Sequence, residues 1–368
     1  MMSQPVSSPG EDLVEVRVGA APYQIRIAAG AARRIPEVLD QAGLPARRFV
    51  VSNPTVWRLH ADAFEGLTRE EPILIADGER FKNLAAAGRI YDALIHQSAD
   101  RATTIVAVGG GVVGDVAGFA AATYLRGVPI VQVPTTLLAQ VDSAIGGKVG
   151  VNHPQGKNLI GAFHQPSSVI VDIDLLRTLP RREFRAGLYE VVKYGVIASR
   201  DLFEQVRDRL PALFARDSAA LLPVIASCCR IKASIVEEDE RESGARRALN
   251  FGHTVGHALE AVTKYRRFRH GEAVAYGMLV AAELAVARHA MTPEDRNALA
   301  AIITQMGPLP AVSDLPPARI LDAVTHDKKV IGGTLHFVMP TAIGATTVVT
   351  DVTTKDLSRA LTAIRPSA

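Results

Sequence analysis

Cysteine is almost missing from this chain: of 368 residues, only Cys228 and Cys229 carry thiols. Adjacent residues in a helix-like segment do not suit a structural disulfide, so a reducing, cytoplasmic compartment is the expectation. Charge of one sign is scarce as well. The 41 Lys and Arg against 38 Asp and Glu leave a net charge of +3, too small to point to nucleic acid or an anionic membrane as partner. The segments "EEDERESGARR" and "KYRRFRH" therefore read as charged loops. The opening "MMSQPVSSPGEDL" lacks the basic start and apolar run of a signal peptide. Neither repeats nor low-complexity segments occur. The most apolar stretch, from Thr104 to Tyr124, is interrupted by "GGG" and by Asp115, which predicts a buried strand, turn and helix and not a membrane span.

What is present is apolar material, 48% of the residues, enough for about two domains in a chain of this length. In the first half, "RRFVVSN", "EPILIADG", "TTIVAVGGG", "GVPIVQVPTT" and "SSVIVDIDLL" alternate with helix-like stretches. That alternation predicts a parallel sheet with crossover helices. From about Pro180 the apolar residues fall at helical spacing, as in Leu221 to Ile235 and Val274 to Ala290. The expected organisation is an α/β dinucleotide-binding, Rossmann-like domain over 1–180 and a mainly helical domain over 181–368. Near the end, "GTLHFVMPTAIGATTVVTDV" reads as a short hairpin or pair of strands before a last helix from Asp356.

Gly109, Gly111 and Gly114 spell G-x-G-x-x-G between an apolar strand and a small-residue helix. Such glycines permit a tight turn, approach of backbone amides to a pyrophosphate and close helix packing. The next strand ends in "VPTT", without the acidic residue that ordinarily holds a ribose, so Asp77 and Glu79 of "DGERFKN" are the candidates for that role. From Gln140, "QVDSAIGGKVGVNHPQGKNLIGAFHQP" gathers Asp142, Lys148, Lys157 and Asn158 among glycines, read as a flexible polar loop suited to an anionic, polyhydroxylated ligand.

In "NFGHTVGHALE", His253 and His257 stand four residues apart. On a helix their Cβ atoms would be roughly 6 Å apart on one face, a spacing that suits two ligands of one metal as well as a buried and a surface histidine. "YEVVKYG" sets Glu190 three residues from Lys193, by default an ion pair, and "RHGEAVAYG" adds His270 and Glu272. One carboxylate with two or three histidines from separate helices would make a catalytic metal site with an open position.

Taken together, "GGGVVGDVAGFAAATYLRG", "VPTTLLAQVDSAIGGKVGVNHPQGKNLIGAF", "EVVKYG", "LNFGHTVGHALE" and "HGEAVAYGM" strongly resemble the 3-dehydroquinate synthases of the shikimate pathway, from about residue 70 to 340. The resemblance implies a dehydroquinate synthase-like fold, a homodimer, NAD and a divalent metal, zinc or cobalt. It implies a phosphate-eliminating cyclisation of 3-deoxy-D-arabino-heptulosonate 7-phosphate by transient oxidation, elimination, reduction and aldol closure. The metal ligands carried over are Glu190, His253 and His270, with His257 left beside the substrate phosphate for proton transfer.

The implied NAD positions are Asp77, Gly78, Glu79, Arg80, Phe81 and Lys82, then Gly111, Val112, Val113, Gly114 and Asp115. They continue with Thr135, Thr136, Asp142, Lys148, Lys157 and the turn of Leu175, Leu176, Arg177 and Thr178. Substrate contacts fall on Lys148, Asn158, Lys193, Lys232, Arg246, Asn250, His257 and a lysine of "HDKK", Lys328 or Lys329; Arg126 would reach the phosphate site of a neighbouring subunit. Of these, Lys193, His257, Asp142, Asn158, Lys148 and Arg246 form the implied catalytic set. A cyclase acting on sedoheptulose 7-phosphate, or a metal-dependent polyol dehydrogenase, would share part of this pattern.

Overall fold

The computed structural model describes residues 10–19, 22–325, 330, 331 and 334–364. The chain divides into two compact units, one of residues 1–180 with 216–241 and the other of 181–215 with 242–368. A single boundary at residue 180 therefore needs correcting: the helix Ser218–Glu238 belongs to the first unit. Tertiary pairing overrides sequence order. Arg230 on this helix pairs with Asp12 at 2.5 Å, Lys232 pairs with Asp142, Glu237 accepts the Arg17 amide at 2.7 Å, and Gln165 donates to Glu240 at 2.8 Å. By length and apolar composition this helix could cross a membrane, but more than half of its most apolar stretch is buried inside the unit.

The first unit is built on a seven-stranded sheet of β1 (Glu11–Val16), β2 (Tyr23–Ala28), β3 (Arg47–Ser52), β4 (Ile73–Leu74), β5 (Thr103–Gly109), β6 (Ile130–Pro134) and β9 (Ser168–Asp172). Their order is β1-β2-β9-β6-β5-β3-β4. β1 and β2 are antiparallel and every other pairing is parallel. β5 is buried along its whole length because helices cover both faces, so its sequence is a continuous apolar run. Its Ile105 and Ala107 join the core that includes the helices Leu84–His96 and Gly111–Thr123; Val106 and Val108 face the opposite core with Ile35 and Leu39.

The glycine-rich polar stretch is more ordered than a loop. It folds as a π-helical turn, Ala139–Ser143, followed by an antiparallel hairpin of β7 (Lys148–His153) and β8 (Gly156–Phe163). Gly150 and Gly161 sit opposite one another, and an added Cβ would lie 2.6 Å from the Ile160 carbonyl or 2.5 Å from that of Val149. These glycines serve close strand approach, not flexibility.

The second unit consists mainly of helices, chief among them Arg181–Ala198, His253–Val262 and His270–Ala287, with a hairpin of Phe337–Ala342 and Ala345–Val349 and a last helix Thr354–Ala363. The three long helices pack backbone to backbone. A Cβ on Gly271 would lie 1.9 Å from the Ala186 carbonyl oxygen, and one on Gly277 would lie 1.7 Å from that of Gly252. Gly252 is itself left-handed, at φ +78°, just ahead of His253.

Candidate functional site

In the first unit, Gly109 closes β5, Gly110 caps the next helix, and Gly111 begins it. None of the three has positive φ, so the turn needs space and not left-handed backbone. A Cβ on Gly109 would lie 2.6 Å from the Val113 side chain, and one on Gly111 would meet the Ser143 hydroxyl at 3.0 Å. Gly114 lies against Gln132, whose amide donates to its carbonyl at 3.1 Å. The result is a bare helix N-terminus at the carboxyl end of a parallel strand, the arrangement that presents amides to an anion.

Around it stands a polar network. The buried Lys82 pairs with Asp115 and donates to Asn158 Oδ1 at 2.6 Å. Burial alone would lower the Lys82 ammonium, but Asp115 and Glu79 outweigh it and hold the group above its ordinary value. Glu79 accepts from Asn152 at 2.8 Å and lies 3.7 Å from Lys157. Asn152 also accepts the Asn158 amide, at 2.9 Å. Sequence reasoning missed Asn152, which is visible only once β7 and β8 are paired.

Lys232 is bound to both the carbonyl and the carboxylate of Asp142. Thr135 is buried, its amide held by the Gly109 carbonyl at 2.9 Å; Thr136 accepts the Ala139 amide at 3.2 Å. Val113, Leu175 and Leu176 are buried, so a ligand there would meet backbone; Val112 packs partly against the core that holds Val113. Thr178 bonds His60 at 2.7 Å and Arg177 pairs with Asp174 at 3.0 Å. Arg80 lies over the Phe81 ring at 4.5 Å, after Gly78 at φ +102°. Asp77 and Lys148, the latter at the head of β7, are both exposed. Leu125 and Arg126 are both left-handed, at φ 49° and 71°, conformations that non-glycine residues adopt at a cost of about 1–3 kcal/mol each.

In the second unit, three helices bring Glu190, His253, His257 and His270 together. The three histidines each offer a ring nitrogen, all within 4.8 Å of one another. Glu190 Oε1 lies 3.9 Å from His253 Nε2 and 3.6 Å from His270 Nε2. His253 Nδ1 donates to the Phe251 carbonyl at 3.0 Å, which leaves Nε2 as the lone-pair nitrogen. Glu190 is fully buried, and its Oε2 meets Lys193 Nζ at 2.5 Å. Among the described residues, neither carboxylate oxygen has a partner of hydrogen-bond geometry, Oε2 having only the Lys193 ion pair. A buried acceptor left unsatisfied costs about 1–3 kcal/mol, more for a charged group. A carboxylate oxygen facing two imidazole lone pairs is the donor set of a divalent cation, and the residues fit one.

Glu272 belongs to a different structure. Its buried carboxylate receives Arg182 at 2.8 and 2.7 Å, Arg185 at 3.2 Å and the Arg269 amide at 2.9 Å, closing the helix N-terminus. Burial pushes this carboxyl up, and those donors outweigh it and hold it below its ordinary value. Arg246 is buried in the 3-10 turn Ala245–Asn250, and Asn250 donates to Glu242 at 2.6 Å. Lys328 and Lys329 lie outside the described residues.

Residues 72–186 match the family model for the 3-dehydroquinate synthase N-terminal region, and 187–330 match that for the C-terminal region. The chain is 49% identical over 341 residues to the 3-dehydroquinate synthase of Pelotomaculum thermopropionicum, covering 90% of this chain and 91% of that one. Its structure is similar to that of the 2-epi-5-epi-valiolone synthase of Streptomyces hygroscopicus with NAD+ and Zn2+ bound, at a TM-score of 0.87 and 27% identity over 94% of this chain and 98% of the other. A 2-deoxy-scyllo-inosose synthase complexed with carbaglucose-6-phosphate, NAD+ and Co2+ gives a TM-score of 0.85 at 26% identity, over 95% and 99%.

Proposed function

Because this chain belongs to the 3-dehydroquinate synthase family, we propose that it converts 3-deoxy-D-arabino-heptulosonate 7-phosphate to 3-dehydroquinate and phosphate. The observation that carries the reading is Glu190 Oε1, buried, without a hydrogen bond and facing the Nε2 atoms of His253 and His270. Glu190, His253 and His270 hold a zinc or cobalt ion. The glycine turn at Gly111 to Asp115, with Asp77 to Lys82, Thr135, Thr136, Asp142, Lys148, Lys157 and the Leu175 to Thr178 turn, holds NAD. When bound, NAD supplies a hydride acceptor that is regenerated within the cycle, and the metal a Lewis acid for vicinal hydroxyls.

The protein's own groups do the rest. Asn158 of the first unit, and Lys193, His257 and a lysine of the 328–329 pair in the second, are substrate contacts, with His257 carrying a proton at the phosphate. Lys148, Lys232, Arg246 and Asn250 orient the rest of the substrate, its carboxylate included. Lys232 and Asn250 are engaged by Asp142 and Glu242 in this structure, so a carboxylate ligand would exchange one anionic partner for another at little desolvation cost. The left-handed backbone at Arg126 supports a presented side chain, which we assign to the phosphate site of a second copy in a homodimer. A cyclase acting on sedoheptulose 7-phosphate would need no carboxylate clamp, and the 49% relative favours the dehydroquinate branch over the 27% one.

The test is phosphate release from the heptulosonate phosphate with NAD present, before and after EDTA, with NADH absorbance followed in the same cuvette. Release that EDTA abolishes, without lasting NADH, is expected. Steady NADH from a simple polyol and no phosphate release would move the protein to the dehydrogenase reading. Arg246→Ala should weaken substrate binding by about 10–100-fold, the worth of one charged hydrogen-bonding partner, and leave NAD binding as it was; equal losses in a titration of each would refute the assignment.

A further inference from the structure

His270 is the more exposed of the two histidines that face Glu190: its side chain is 30% accessible against 10% for His253. A neutral imidazole has two tautomers, and only the one with hydrogen on Nδ1 leaves Nε2 free to bind a cation. For His253 a backbone carbonyl makes that choice. His270 Nδ1 instead lies 3.2 Å from Oε2 of Glu260, whose side chain is 5% accessible. A carboxylate can only accept, and an ionised acceptor is roughly twice as strong as a neutral one, which suits a ring that water can reach. The chain invests backbone strain in the arrangement. Glu260 is in the helix His253–Val262, His270 opens the next helix, and the turn between them passes through Lys264 and Tyr265, left-handed at φ 54° and 56°.

We infer that Glu260 is a positioning residue that fixes the Nδ1–H tautomer and ring orientation of His270, so that Nε2 is presented for metal binding. The inference rests on the metal reading above and extends it to a residue that does not itself touch the ion. Nitrogen-15 NMR of histidine-labelled, metal-free protein reads the tautomer directly, and competition with a chelator then gives the Co2+ affinity. The wild-type His270 is expected to carry hydrogen on Nδ1. Glu260→Ala should mix the tautomers and weaken Co2+ by about 10–100-fold, the usual effect of losing an outer partner of a ligand. Glu260→Gln, whose amide oxygen still accepts, should keep the tautomer and weaken Co2+ several-fold, less than alanine does. A general packing defect would not sort the two variants this way or move the imidazole signals.

An alanine variant with the wild-type tautomer and Co2+ affinity would overturn the proposal. Should that variant fail to fold, Glu260→Gln decides, and wild-type affinity there overturns it equally. Wild-type protein that takes up no Co2+ would sink the metal reading itself, a result separable from the tautomer measurement.

Discussion

Gly277→Ala is expected to cost about 3 kcal/mol or more of folding stability, at or beyond the upper end of what overpacking a core ordinarily costs. The new methyl carbon would lie 1.7 Å from the Gly252 carbonyl oxygen. A crowded side chain can turn to another rotamer, whereas this oxygen is fixed in backbone, so the two helices must move apart. Gly252 cannot yield easily, because a Cβ there would in turn be 2.7 Å from the Val274 carbonyl. His253 follows Gly252 directly, so separation also carries a candidate ligand away from His270, and metal affinity should fall with stability. Gly88 is the control. It lies inside the helix Leu84–His96 with nothing within 4 Å of an added Cβ, and alanine there should stabilise by about 0.5–1 kcal/mol. Urea denaturation of both variants checks the contrast, and a Gly277→Ala protein as stable as the parent would show that helix contact to be looser than described.

Glu190→Gln should reduce Co2+ or Zn2+ affinity by more than about 100-fold, since losing even an outer-shell partner can reach that figure, and should take phosphate release to background with it. Glutamine keeps the volume of the side chain but removes the charge that two neutral imidazoles cannot supply. The NAD assignments lie in the other unit, so NAD affinity should be unchanged. Metal content by elemental analysis and NAD titration on the same sample make the test. A Glu190→Gln protein that retains a full equivalent of metal would place the ion on the three histidines instead, a set the structure also brings within 4.8 Å.

The parts of the fold that depend on local pattern could be read from sequence. β5 and the glycine turn after it were legible because a strand buried on both faces is apolar throughout and the helix after it starts on small residues. The hairpin of β7 and β8 was not, because glycines chosen for close strand approach look the same in sequence as glycines chosen for flexibility. Spacing paired His253 with His257, which do share a helix, and separate helices were expected to add a carboxylate and a further histidine, but the pattern did not say which carboxylate. Glu272, beside His270 in sequence, looked equally eligible until Arg182 and Arg185 were found to occupy it. Family resemblance, not spacing, separated these roles. Glu260 was in plain view at the end of the quoted motif, but its meaning depends on the turn that returns the chain to His270.

The return of residues 216–241 to the first unit has a consequence for how the protein is made. Arg230 and Asp12 are separated by 218 positions in sequence, and the last strand of the sheet ends at Asp172, ahead of the helix that begins at Ser218, lies against β1 and supplies the partner of Asp142. A polypeptide released at residue 180 would contain every strand of the sheet yet leave that face open. The helix that closes it is made only after the first portion of the second unit, 181–215, has been synthesised.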